Sequence, residues 1–203
     1  MKPTEQSVSI PRNVDSPLDP DVAAEMIAMG IFPGGDGSRV PGLDPVADRD
    51  IVPRTAITAD TVLNEAYDYD LPSSFSRGLR IELGTTSMLM LSGTASIDGA
   101  GRTLYPGNFE AQCVRTFRNL TVLLAAEGAS WHDIVRTSCY LRDIERDYDA
   151  FNQVRTHFMH DILGLDPLPA STGIQARLCR SDLLVEIEAV AMVPATTNGA
   201  VTH

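Results

Sequence analysis

The run 183–192 restricts the fold more than any other part of the chain. In an extended strand successive side chains point to opposite faces, so Leu183, Val185, Ile187, Ala189 and Ala191 share one apolar face. The other face carries Leu184, Glu186, Glu188, Val190 and Met192. A face that sets two carboxylates among Leu, Val and Met is no ordinary solvated surface. Desolvation beside such neighbours favours the neutral carboxyl and raises its pKa, which suits a general acid or base working near neutral pH. Salt bridges or hydrogen bonds across a subunit contact are the structural alternative for Glu186 and Glu188, and spacing alone does not separate the two. Upstream, residues 168–178 read as a second strand, with 179–182 as the tight connection between them.

The rest of the chain divides into two textures. Residues 1–70 hold most of the prolines, with Asp-Pro and Gly clusters, and predict an irregular extension with one short helix at about 21–29, closed by Gly30. Gly34-Gly35-Asp36-Gly37 reads as a turn cluster rather than a phosphate loop. The apolar Ile31, Phe32, Val40, Leu43, Ile51 and Val52 suggest that this extension docks on the main domain or on a neighbouring subunit. Residues 71–194 are regular, and 195–203 form a loose tail.

Within 71–194, strands are expected at 75–83 and 87–92. The small, polar Gly93-Thr94-Ala95-Ser96 follows, either as a bend in the sheet or as a place where a ligand approaches the backbone. The strongest helix is 109–126, with Cys113, Val114, Phe117, Leu120, Leu123 and Leu124 as its apolar stripe and Asn119 off it. A strand at 134–141 follows, then a helix at about 146–163 that buries Tyr148, Phe151, Val154, Phe158 and Ile162. One sheet with two helices on one face leaves its other face bare, and symmetric self-association is the cheapest cover.

A formal net charge of −11 argues against nucleic acid as a partner, because binding phosphates needs clustered Lys and Arg. No apolar run reaches membrane-spanning length, and the N-terminal residues lack a signal-peptide core. Cys113, Cys139 and Cys179 are odd in number and widely spaced, which fits a reducing cytoplasm. His157 and His160 stand three apart without the carboxylate or cysteine that would complete a recognised metal-ligand spacing, so no metal site is expected.

Several runs resemble the Rid (YjgF) superfamily of small trimeric proteins. They are Leu91-Ser92-Gly93, the 112–124 helix ending in Ala125-Ala126-Glu127-Gly128, Asp133-Ile134-Val135-Arg136-Thr137, Asp149-Ala150-Phe151-Asn152, Ala176-Arg177-Leu178 and Val185-Glu186-Ile187-Glu188-Ala189. The resemblance implies an α+β, chorismate-mutase-like fold: a mixed sheet with two helices on one face, assembled as a homotrimer with pockets between subunits. It further implies cofactor-free hydrolysis of enamines or imines, with Glu186 positioning water and Gly93, Asn152 and Phe75 in the pocket. Ala170 stands where the family motif has the arginine that grips the substrate carboxylate.

Phe75-Ser76-Arg77, Gly93-Thr94-Ala95-Ser96-Ile97 and the run 179–188 are also similar to segments of chorismatases, which hydrolyse chorismate. Together the two likenesses imply a hydrolase or lyase of a small unsaturated carboxylic acid. Glu186 would be its acid/base; Gly93, Thr94, Ala95, Ser96, Ser171 and Thr172 would line the pocket, and Arg77 or Arg177 would replace the missing anchor. A non-catalytic binding trimer is the competing expectation.

Overall fold

The computed structural model describes residues 20–31, 39–40, 42–43, 51–60, 62–69 and 72–195. The chain divides into two compact units, Met1–Ile51 and Val52–His203. In the first, α1 spans Pro20–Ala28 and stops at Gly30, whose φ of 73° lets Ile31 N–H fold back to Met26 O at 2.9 Å. Ile31, Val40 and Ile51 are exposed. Phe32 and the 34–37 glycine cluster lie outside the described residues.

The second unit holds a six-stranded sheet. Its strands are β1 (Arg54–Ala56), β2 (Gly78–Leu83), β3 (Thr86–Ala95), β4 (Ile134–Leu141), β5 (Ala170–Gln175) and β6 (Val185–Pro194). Their spatial order is β1-β2-β3-β6-β4-β5, antiparallel throughout except for the parallel β4–β5 pair. Two helices cross the sheet, α2 (Phe109–Ala126) and α3 (Ile144–Thr156). Where the sequence reads as irregular up to residue 70, the structure places β1 and a 3-10 turn (Ala66–Asp68), with Ile57, Leu63 and Ala66 fully buried. The run 168–192 is not a hairpin. β6 inserts between β3 and β4 because its apolar face needs the centre of the sheet, and β5 is left on the edge.

The alternation along β6 holds: Val185, Ile187, Ala189, Ala191 and Val193 are buried, and the residues between them are half-buried or exposed. This apolar face joins Leu89 and Leu91 of β3 and Cys139 and Leu141 of β4 beneath Phe117, Leu120, Leu123 and Leu124 of α2. Each fully buried Leu or Phe contributes about 1.5–3 kcal/mol. Phe117, Trp131 and Phe158 close one end of the core, with ring centroids 4.8–5.5 Å apart. No helix among the described residues is long and apolar enough to cross a membrane.

Four side-chain placements depart from the sequence pattern. Val114 is 55% exposed, while Asn119 is fully buried and donates to Ala95 O (2.9 Å) and Ile97 O (3.0 Å), satisfying carbonyls where β3 ends. Tyr148 and Ile162 are exposed. α3 runs on into a π-helical turn, His157–Ile162, in which Leu163 N–H reaches Phe158 O, five residues back. This widened turn shifts the inward phase, so Met159 is buried and Ile162 faces out.

Candidate active site

β3 reaches past the expected end at residue 92 and carries Gly93, Thr94 and Ala95 within the strand, where its pairing with β6 slips between Leu91 and Thr94. The close approach at this segment is made by the chain's own Glu186 side chain, at an irregularity in the sheet. The slip bends the strand, and it brings the Gly93 backbone under the Glu186 carboxylate: a Cβ at Gly93 would overlap Glu186 Oε1. Burial is the main cause that pushes the Glu186 carboxyl above the usual glutamate range, with the charge of Glu188 adding to it. Glu188 differs from it in being exposed and in accepting a hydrogen bond from Tyr140 Oη at 2.8 Å.

Glu186 lines a cavity of about 200 Å³ together with Gly93, Ala95, Phe75, Arg77, Tyr69 and Arg180. Arg77 is 3% exposed. Its Nε donates to Asn64 O at 3.1 Å, and its guanidinium lies 5.0 Å from the Tyr69 ring centroid and 5.4 Å from that of Phe75. Its Nη2 is buried without a hydrogen-bond partner, as is the Tyr69 hydroxyl. Burial, offset in part by Glu65, lowers the Arg77 pKa, yet a guanidinium keeps its proton at neutral pH. Gly101, at φ 78°, supports both walls. A Cβ there would meet the Tyr69 ring at 2.5 Å, and its carbonyl accepts a hydrogen bond from Arg180 Nη1.

The cavity thus gathers Glu186, Phe75, Arg77, Gly93 and Ala95 from the residues singled out in the sequence. Thr94 and Ser96 are buried behind it, with hydroxyls donating to Ser92 O (2.9 Å) and Leu104 O (2.8 Å). The remaining four lie elsewhere. Asn152 and Ser171 bond to Arg155, Thr172 accepts from Arg136 Nη2, and Arg177 is exposed. Asn152 sits on α3, Ser171 and Thr172 on β5, and Arg177 just beyond β5; Ser171, with Thr137 and Arg155, lines a smaller cavity of about 120 Å³. Tyr69 and Arg180 join the cavity without standing among the residues that the sequence marks for it. Tyr69 stands in a stretch whose composition reads as irregular, and Arg180 in the connection before β6, within the run that resembles chorismatases.

The Glu186 cavity can bind an anion at Arg77, stack a planar group on Phe75 or Tyr69, and move a proton at the Glu186 carboxyl.

The sequence pattern of the endoribonuclease L-PSP family matches residues 72–193. A RutC family protein of Synechocystis is 26% identical over 113 residues, covering 55% of this chain and 83% of that protein. The 2-iminobutanoate/2-iminopropanoate deaminase of Rattus norvegicus is 29% identical over 113 residues, 55% of this chain and 77% of that one. Among solved structures, E. coli TdcF with bound serine superposes with a TM-score of 0.55 at 21% identity, covering 68% of this chain and 98% of that one. With an α+β sheet, its paired helices and a family pattern that spans more than half of its length, the chain belongs to the endoribonuclease L-PSP family, the Rid (YjgF) superfamily.

Proposed function

We propose that this protein is a cofactor-free hydrolase of a small unsaturated carboxylic acid, acting first of all as an enamine or imine deaminase, in the cavity beneath Glu186. The observation that carries the reading is a half-dry carboxyl, seated on Gly93, in one cavity with a buried arginine that has an unused N–H. Some relatives bear the name 2-iminobutanoate/2-iminopropanoate deaminase. Arg77 would hold the substrate carboxylate in place of the arginine absent at Ala170. Glu186 would protonate the enamine carbon, then take a proton from the attacking water, so that a ketoacid and ammonia leave. Thr94, Ala95 and Ser96 shape the wall behind Gly93.

A second reading, hydrolysis of chorismate or a related enol ether, draws support from Arg180 beside Arg77 and from the two aromatic walls, which suit a larger ring acid. Homotrimeric assembly belongs to the same proposal. The sheet face away from the helices holds a groove of about 300 Å³ lined by Leu79, Met90 and Val190, and Met90 is 44% exposed. Sedimentation tests the assembly.

The decisive experiment is Glu186→Gln, assayed for ammonia release from 2-iminobutanoate formed in situ and for pyruvate release from chorismate. Turnover is expected to fall at least about 100-fold. Unchanged turnover would sink the assignment, and thermal stabilisation by these acids without product would make the protein a binder.

A further inference from the structure

The unpartnered atoms around Arg77 extend beyond the cavity wall. Both carboxyl oxygens of Glu65 are buried, in a residue only 4% exposed, and meet no well-formed hydrogen bond, although the Arg77 backbone N–H lies close enough to favour the charged form. The same short peptide controls both groups. Asn64 O accepts from Arg77 Nε at 3.1 Å, Asn64 N–H donates to Gly99 O at 3.1 Å, and Ser73 N–H donates to Ala66 O at 2.9 Å. The guanidinium and the Glu65 carboxyl are therefore fixed by adjacent residues, and each is the main opposite charge that the other feels.

One buried cation cannot neutralise two buried carboxylates. If a bound acid brings its carboxylate to Arg77, Glu65 loses its counter-charge and gains a like-charged neighbour, and both changes favour its neutral form. Its surroundings add no other positive charge. Burial pushes its pKa up, as do Asp60 and Asp68, the Arg77 charge and backbone N–H pull it down, and the Tyr67 phenol is held above its ordinary pKa and so stays neutral. Glu186, across the cavity, is a second carboxyl, and Arg180 acts on Arg77 as a like charge.

We propose that Glu65 is a positioning residue for Arg77: it serves as the counter-charge of the guanidinium while the cavity is empty, and it takes up a proton from solvent when the carboxylate of a bound acid replaces it. This rests on Arg77 being the anchor named above. Acids then bind with the uptake of one proton per cavity, and affinity weakens as pH rises between the Glu65 pKa of the empty and of the loaded protein. Glu65 also gives Arg77 a defined place without a rigid bond, which leaves Nη2 available to the ligand.

Calorimetry tests this on the full chain carrying Glu186→Gln, which removes the other titrating carboxyl. Benzoate and 2-oxobutanoate are titrated in two buffers of different ionisation enthalpy from about pH 5 to 8. The expected result is uptake approaching one proton in part of that range, with affinity falling by up to about tenfold per pH unit there. Adding Glu65→Gln removes the uptake and flattens the pH profile while binding persists. If Glu65→Gln does not fold, Glu65→Asp keeps a titrating group and shifts the pH midpoint of uptake. Binding without uptake in the Glu186→Gln protein, or uptake unmoved by either change at Glu65, overturns the proposal and leaves the anchor standing. Should neither acid bind, or should Arg77→Met bind them as well as before, the anchor itself falls and this proposal falls with it.

Discussion

Among the described residues, two arginines lie over aromatic rings, and they have opposite hydrogen-bonding states. Arg155 stands 5.0 Å from the centroid of Phe151, and both ends of its fork are used, Nη1 on Ser171 Oγ at 3.0 Å and Nη2 on Asn152 Oδ1 at 2.6 Å. Arg77 stands 5.0 Å from Tyr69 and 5.4 Å from Phe75, is almost wholly buried, and keeps Nη2 unused. A satisfied arginine fixes structure. A buried one with an idle donor costs stability until something accepts from it, so the ligand site is to be sought at Arg77 rather than near Ala170.

The largest effect that would break this comparison is expected at Gly93→Ala. The added methyl overlaps Glu186 Oε1, so the carboxyl must leave its place on the strand. Turnover should fall at least about 100-fold if Glu186 is the proton donor proposed above, while stability should change little, because the atom displaced is the free end of a flexible side chain. Steady-state kinetics together with a thermal melt separate the two. A folded Gly93→Ala protein with full turnover would show that the position of Glu186 is irrelevant to the chemistry.

A smaller effect sharpens the same contrast through pH. The Glu186 pKa is raised in the folded protein, chiefly by burial, so the native state binds more protons than the unfolded chain between the two pKa values. Stability contributed by the neutral carboxyl is present below the ordinary glutamate pKa and is lost as pH rises through the folded value. Glu186→Gln removes that loss. Its melting temperature should gain on the wild type as pH rises from about 4, then hold a constant lead above the native pKa. A lead that shrinks with pH would mean that Glu186 is held charged, as a salt-bridged group would be.

Much of this fold was legible because it rests on periodicity. α2 and β4 have the bounds read from the sequence, and β6 buries the face that its alternation marks. The failures have local physical causes. Asn119 turns inward because strand-end carbonyls need donors, a demand that an apolar stripe does not express. Ile162 turns outward because of a π turn that no residue type announces. The strand pair at 168–192 came apart because adjacency in sequence says nothing of β6 inserting between β3 and β4. For the site, Glu186, Gly93, Phe75 and Arg77 could be singled out beforehand, whereas Glu65 and Tyr69 could not. Their significance lies in unmade hydrogen bonds, which exist only once the chain is folded.

The smallest expected effect is at Arg155, and it decides whether the two arginines differ in function or only in surroundings. Arg155→Met removes two side-chain hydrogen bonds and a cation–ring contact on a half-buried helix surface, worth about 1–2 kcal/mol of stability together. It touches neither Glu186 nor Arg77, so the affinity for benzoate or 2-oxobutanoate should stay within about twofold of wild type, whereas Arg77→Met should lose about tenfold or more. Calorimetry on both variants at one pH supplies the comparison. If Arg155→Met weakens binding as much as Arg77→Met, the cluster of Asn152, Ser171 and Arg155 belongs to the ligand site after all. The cavity under Glu186 would then be half of a site that a second protomer completes.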